Sequence, residues 1–206
     1  MSNINIYCER LGPELLAEPI NLFTNIAFLL AALLLSKQLS TPNTHISSLI
    51  GLLFIIGIGS MLFHSFATPW TRFFDVLPIM LFQMLFVWTY IRQVINSTTY
   101  VAATTIALLL VSSLIAREFP QLLNGSLPYL PALIILLGLS IYHYLTGQPK
   151  PLHLFIVGGL FVVALFFRTI DASICNDVPI GTHSIWHLVS AYMLYLSVDT
   201  LISQRR

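Results

Sequence analysis

Charged side chains are nearly missing from this chain: Asp, Glu, Lys and Arg make up 8% of its 206 residues, where an ordinary soluble domain carries about 25%. Hydrophobic residues make up 57% and the mean hydropathy is +0.86, which excludes a water-soluble globule and implies an integral membrane protein. No basic stripe is present either. The net charge is +1 and the few charged residues fall mostly between apolar runs, so nothing is available to grip nucleic acid. Cysteine is scarce, with Cys8 before the first apolar run and Cys175 just before the last, so a cysteine-built structural metal site is excluded. Met1 to Leu16 is polar and acidic and lacks the positive leader and apolar core of a cleavable signal. The first membrane helix is expected to act as its own insertion signal.

What the chain does have is long apolar runs. A spanning helix needs roughly 20 mostly apolar residues, and seven windows qualify, centred on Ile20 to Leu35, Ile46 to His64, Asp75 to Ile91, Tyr100 to Ala116, Leu127 to Leu145, Leu152 to Arg168 and His183 to Ile202. The breaks between them carry turn formers or charge: Pro42 and Asn43, Pro69, Asn96 to Thr99, Pro120 to Asn124, Gly147 to Pro151, and Asp171 to Gly181. The expected fold is an all-α, seven-transmembrane helix bundle forming one integral-membrane domain over residues 1–206. Pro78 and Pro131 fall inside the third and fifth windows and are expected to kink those helices. Tyr7, Trp70 and Trp88 read as anchors at the membrane interface.

An odd number of spans puts the termini on opposite faces. Arg10, Arg72, Arg117 and Arg168 then share the N-terminal face, against Lys37, Arg92, Lys150, Arg205 and Arg206 on the other. The slight excess leans towards a cytoplasmic C-terminus and an extracytoplasmic N-terminus. Cys8 and Cys175 fall together on the N-terminal, oxidising face and are expected to form a disulfide. Closing so long a loop contributes about 4 kcal/mol in the chain-entropy account.

The same parity gathers the chemistry. His183 and His187 open the last span four residues apart, so their imidazoles lie on one helical face. Ser60 and His64 repeat that spacing at the end of the second span, and Asp75 opens the third; all reach the N-terminal face. Ionisable groups at membrane depth cost about 3 kcal/mol or more each, so several at one level imply function. His45, His143 and His153 lie in or beside loops of the opposite face. Three imidazoles with an open fourth position make a catalytic zinc site, which lowers the pKa of water to ~7 and polarises a carbonyl. His64, His183 and His187 are the expected ligands, Asp75 the base that relays the proton to a leaving nitrogen, and Ser60 a donor to the developing oxyanion. Taken singly, Asp75 could serve as a helix N-cap and Ser60 as a small residue that eases helix packing. Arg168 and Asp171, three apart at the end of the sixth span, read as an interfacial ion pair in preference to groups that orient a ligand.

These motifs resemble a known family. Ala17-Glu18-Pro19-Ile20-Asn21 through Thr24-Asn25, the Ser60 and His64 pair, Asp75, the stretch from Arg168 through Asp171 to Cys175, and Pro179-x-Gly181-x-His183-xx-Trp186-His187 are together similar to the alkaline ceramidases. Those belong to a superfamily of seven-helix membrane hydrolases that also includes the progestin and adipoQ receptors. The resemblance spans nearly the whole chain. It implies zinc on His64, His183 and His187, catalytic roles for Asp75 and Ser60, the Cys8 to Cys175 bridge, and Trp186 along a substrate cavity. It also implies a calcium site using Glu9 and Glu18. Ile6 and Leu11 stand at two of that site's oxygen positions, and calcium takes six to eight oxygen ligands, so Glu18 is expected instead to cap the first helix or pair with Arg10.

The expected function is zinc-dependent hydrolysis, within the bilayer, of the N-acyl amide of ceramide or a related lipid, with no protein partner required. Two rivals remain from the residues alone. One is a seven-helix receptor or sensor with a structural zinc; the other is a metal-free proton or ion transporter.

Overall fold

The computed structural model describes residues 4–205. Eight α-helices follow in order: α1 (Pro19–Thr24), α2 (Ile26–Gln38), α3 (Thr44–Phe66), α4 (Pro69–Gln93), α5 (Thr99–Arg117), α6 (Leu130–Leu145), α7 (His153–Ile170) and α8 (His183–Ser203). Among the described residues seven stretches are long and apolar enough to cross a membrane, the first made of α1 and α2 together over Pro19–Gln38. The seven predicted windows hold in number and order. The first span is not one helix, because α1 and α2 meet at buried Asn25, whose amide nitrogen donates to the Asn21 carbonyl at 2.7 Å. A hydropathy window cannot register a break one residue wide.

Helices this apolar around their circumference are oriented by packing rather than by amphipathicity. α8 is the central one: 72% of its membrane-length window is buried, against 22–50% for the others. It lies between α2 on one side and α7 on the other.

The tight pairing of α3 with α4 sets the level of the candidate site. Ala67 adopts a left-handed conformation that ends α3, and Thr68 caps α4 with a reciprocal hydrogen bond to Thr71, with Pro69 in the first turn. α4 therefore begins six residues before Asp75, which lies in its second turn and is neither at the helix mouth nor an N-cap. The polar run around Arg72 hid this turn from a hydropathy reading. Further along the pair, a Cβ on Gly59 would lie 2.2 Å from the Phe74 carbonyl oxygen, so glycine lets the two backbones touch beside Ser60 and Asp75.

Pro78 lies inside α4, as expected, but Pro131 occupies the first turn of α6, where its missing N–H has no helical partner to lose. The preceding Leu127–Tyr129 turn is a 3₁₀ segment that brings Tyr129 into the bundle. Trp70 is 66% exposed, in keeping with an interface anchor, and Trp88 packs partly against the core. Tyr7 is not an anchor; it is buried against Phe63 and His64.

Candidate metal centre

α3 supplies His64 and the first two turns of α8 supply His183 and His187, and all three are buried with one ring nitrogen each within 4.8 Å of the others. The Nε2 atoms of His64 and His187 stand 3.2 Å apart. Two nitrogens each ~2.0–2.1 Å from a tetrahedral zinc are separated by about 3.3 Å.

The hydrogen bonds behind the rings fix what these nitrogens carry. His64 Nδ1 lies 2.6 Å from Glu18 Oε2. Burial acts to raise the Glu18 carboxyl, but hydrogen bonds from His64, Arg10 and Asn21 outweigh it and hold the group below the usual glutamate range. An ionised carboxylate only accepts, so His64 donates from Nδ1, and in the neutral ring its Nε2 bears the lone pair. His187 Nδ1 lies 2.9 Å from Thr24 Oγ1. The Ile20 and Asn21 carbonyls lie 2.8 and 3.1 Å from the same hydroxyl and can take its single hydrogen. With its hydrogen on either carbonyl, Thr24 accepts from His187 Nδ1, and the Asn21 carbonyl is a second acceptor within reach. With both rings neutral in these tautomers the two Nε2 lone pairs face each other across 3.2 Å, an arrangement that a proton or a metal ion between them relieves. His183 adds a buried Nδ1 that no protein group satisfies, and orphaned buried nitrogens are rare. This donor set fits a metal ion.

Thr24 would bear on a metal bound here by holding His187 in the tautomer that leaves Nε2 free. Thr24→Val keeps the shape and removes the acceptor; because the Asn21 carbonyl remains, metal affinity is expected to fall by about tenfold, the low end for such partners. Competition with a fluorescent chelator measures it.

His183 is placed by a device that reads poorly from sequence. Asp171 forms no ion pair with Arg168 among the described residues. Its carboxylate accepts from the backbone N–H of Thr182 at 2.6 Å, His183 at 2.9 Å and Cys8 at 3.1 Å, capping α8 and tying it to the N-terminal segment. Cys8 and Cys175 form the expected disulfide across the same junction. On the other side the Tyr7 ring stacks on His183 with centroids 3.7 Å apart. Gly181 has φ +66, and a Cβ there would lie 2.2 Å from Asp171 Oδ1 and 2.9 Å from Cys8 Cβ. Gly181→Ala is expected to cost about 1–2 kcal/mol in backbone strain and, by displacing Asp171, to lower bound metal; thermal unfolding and metal analysis of the same sample check both.

Ser60, Asp75, Tyr7, Arg168 and Trp186 line a cavity of about 30 Å3 with His183 and His187. Asp75 lies within hydrogen-bonding reach of Ser60 and in the field of His64, Arg168 and Arg72. Arg168 turns inward instead of pairing at the interface. It donates to Ser126 Oγ at 2.9 Å and stands over the Tyr129 and Trp186 rings at 5.4 and 5.9 Å. The phenol of Tyr7 is held neutral by burial, which pushes it well above its usual range.

Glu9 and Glu18, the residues of the implied calcium site, both meet protein donors. Glu9 accepts from the Ile20 and Asn21 N–H groups at 2.6 and 2.8 Å, capping α1. Glu18 pairs with Arg10 at 2.5 Å, and Arg10 also donates to the carbonyls of Gly12 and His64. Arg10, the alternative partner expected for Glu18, supplies the cation here. Thr24, Tyr7 and Asp171 escaped the sequence reading as parts of the site. Thr24 and Asp171 did lie within the motifs that carried the resemblance.

A family model described as Ceramidase matches residues 2–205. No curated protein matches the chain.

Proposed function

Because the chain belongs to the ceramidase family, we propose that it is a zinc-dependent intramembrane amidohydrolase that cleaves the N-acyl bond of ceramide or a related lipid to a fatty acid and a long-chain amine. The observation that carries this reading is the buried convergence of His64, His183 and His187, with the Nε2 atoms of His64 and His187 3.2 Å apart and the Nδ1 of each of those two rings against its own oxygen. Zinc held by His64, His183 and His187 would supply polarisation of the carbonyl and a water acidified to ~7. Neither cysteine is free to take part, since both are in the disulfide.

The chain's own residues divide the remaining work. Asp75 takes the proton of the attacking water and hands it to the leaving nitrogen. Ser60, within reach of Asp75 before substrate arrives, turns its hydroxyl to the carbonyl oxygen as negative charge grows there. Ile56, Tyr129 and Trp186 line both the small polar cavity and an adjoining apolar one that continues past Phe82, Leu136 and Phe161. The apolar cavity is about 60 Å3 as it stands, so side chains along it rotate to admit an acyl chain. The cleaved amide meets the polar groups while the tail stays among apolar ones. We place the N-terminus and this centre on the extracytoplasmic side, where the Cys8–Cys175 disulfide persists.

The test is turnover in micelles with ceramide and shorter N-acyl lipids in ¹⁸O-labelled water. The released fatty acid should carry the label, and the reaction should stop on chelation and return with zinc. Stoichiometric metal with no turnover of any N-acyl lipid would favour a sensor. Protein that binds no metal but carries ions across liposomes would favour a transporter.

A further inference from the structure

A groove of about 430 Å3 opens beside the metal centre between the start of α4, the end of α5 and the 120–128 loop, and Arg72, Arg117 and Arg168 all line it. The ion pairs among the described residues draw their cations from Arg10, His64, Lys150 and His153, and from none of these three arginines. All three nevertheless line this one groove together with Tyr129, over whose ring Arg168 stands. Among the described residues no carboxylate lines the groove, and Asp75 lines the adjoining polar cavity that Arg72 and Arg168 share. Ser113 adds a buried hydroxyl on the groove wall with no hydrogen-bond partner.

Arginines near helix ends commonly reach for lipid phosphates, and that would explain Arg72 or Arg117 alone. It does not explain Arg168, held over two aromatic rings inside the bundle, or the unpartnered Ser113. The groove is also continuous with the chemistry: Val76 and Arg168 line it together with the polar cavity, and Gln83 and Tyr129 line it together with the apolar one. An N-acyl lipid with its amide at the three histidines and its acyl tail in the apolar cavity has its amine portion left to place, and the head group is the part of it that suits this polar groove.

We propose that this groove binds an acidic head group, so that the preferred substrate is an N-acyl lipid whose amine portion carries a carboxylate or phosphate. The proposal rests on the hydrolase reading and narrows it, because guanidinium forks recognise both anions bidentately, whereas an alcohol offers one neutral oxygen and a weaker hydrogen bond.

Two measurements test it in neutral-detergent micelles. Binding is compared for dodecyl phosphate and dodecanol, which have no amide to cleave. Turnover is compared for N-dodecanoylglycine, N-dodecanoyl-O-phosphoethanolamine and the neutral N-dodecanoylethanolamine. The acidic ligand should bind about tenfold or more tightly, as one or two charge-assisted hydrogen bonds require, and the acidic amides should show a similar advantage in kcat/KM. Which of the two acidic amides leads distinguishes carboxylate from phosphate. Arg117→Gln and, separately, Arg72→Gln replace exposed side chains and should each shrink the acidic-to-neutral ratio several-fold. Equal binding of acid and alcohol, or a preference untouched by both substitutions, overturns the head-group site. Tighter binding of the acid with no advantage in turnover overturns the substrate assignment. Tighter binding with no amide cleaved at all leaves the anion site standing and removes the hydrolase reading instead.

Discussion

Asp75→Asn is expected to retain the full complement of metal and lose nearly all lipid amide hydrolysis. The carboxylate lies in the second turn of α4 and lines the polar cavity, and the three histidines that could hold a metal come from α3 and α8. Asparagine keeps its shape and its reach to Ser60 but cannot take a proton from water. General acid–base catalysis contributes roughly 10²–10⁴ in rate, so kcat should fall by about that factor, with metal content and unfolding temperature little changed. A structural role for Asp75 predicts the opposite split, with stability lost and residual activity in proportion to folded protein.

The second large effect concerns stability. Glu18 is buried between Arg10 and His64 and accepts from both, and from the Asn21 amide at 3.1 Å. Glu18→Ala leaves the Arg10 guanidinium buried without a counter-charge, and breaking a buried pair from one side costs about 3–5 kcal/mol. It also frees the His64 ring from the acceptor that fixes its tautomer, which costs about 10–100-fold in metal affinity. Denaturation in micelles with and without zinc should show both losses, and excess zinc should recover only part of the stability. Added calcium should recover none of it, because Arg10 supplies the cation at this carboxylate.

The fold was legible because hydropathy and turn formers mark membrane spans directly, and the histidine cluster was legible through parity: His64 ends one span while His183 begins another that enters from the same face. Residues whose roles depend on side-chain direction were not. Tyr7 sits in an irregular N-terminal segment with no period to read, and nothing local announces that it stacks on His183. Asp171 stands three residues after Arg168, the spacing of a helical ion pair, but α7 ends at Ile170, so the carboxylate turns to the amides that open α8. Arg168, released from that pair, faces the cavity. Glu18 shows the middle case. Its pairing with Arg10 was among the expected partners, whereas its bond to His64 joins residues 46 positions apart and follows from the packing of the N-terminal segment against α3.

Everything chemical here depends on three imidazole nitrogens binding one ion, and zinc K-edge X-ray absorption on the purified protein examines that directly. It should give three nitrogen neighbours at ~2.0–2.1 Å, an additional light-atom ligand and no sulfur, with the nitrogen shell lost in His187→Ala. A sulfur shell near ~2.3 Å, or zinc bound equally well without His187, would contradict the account.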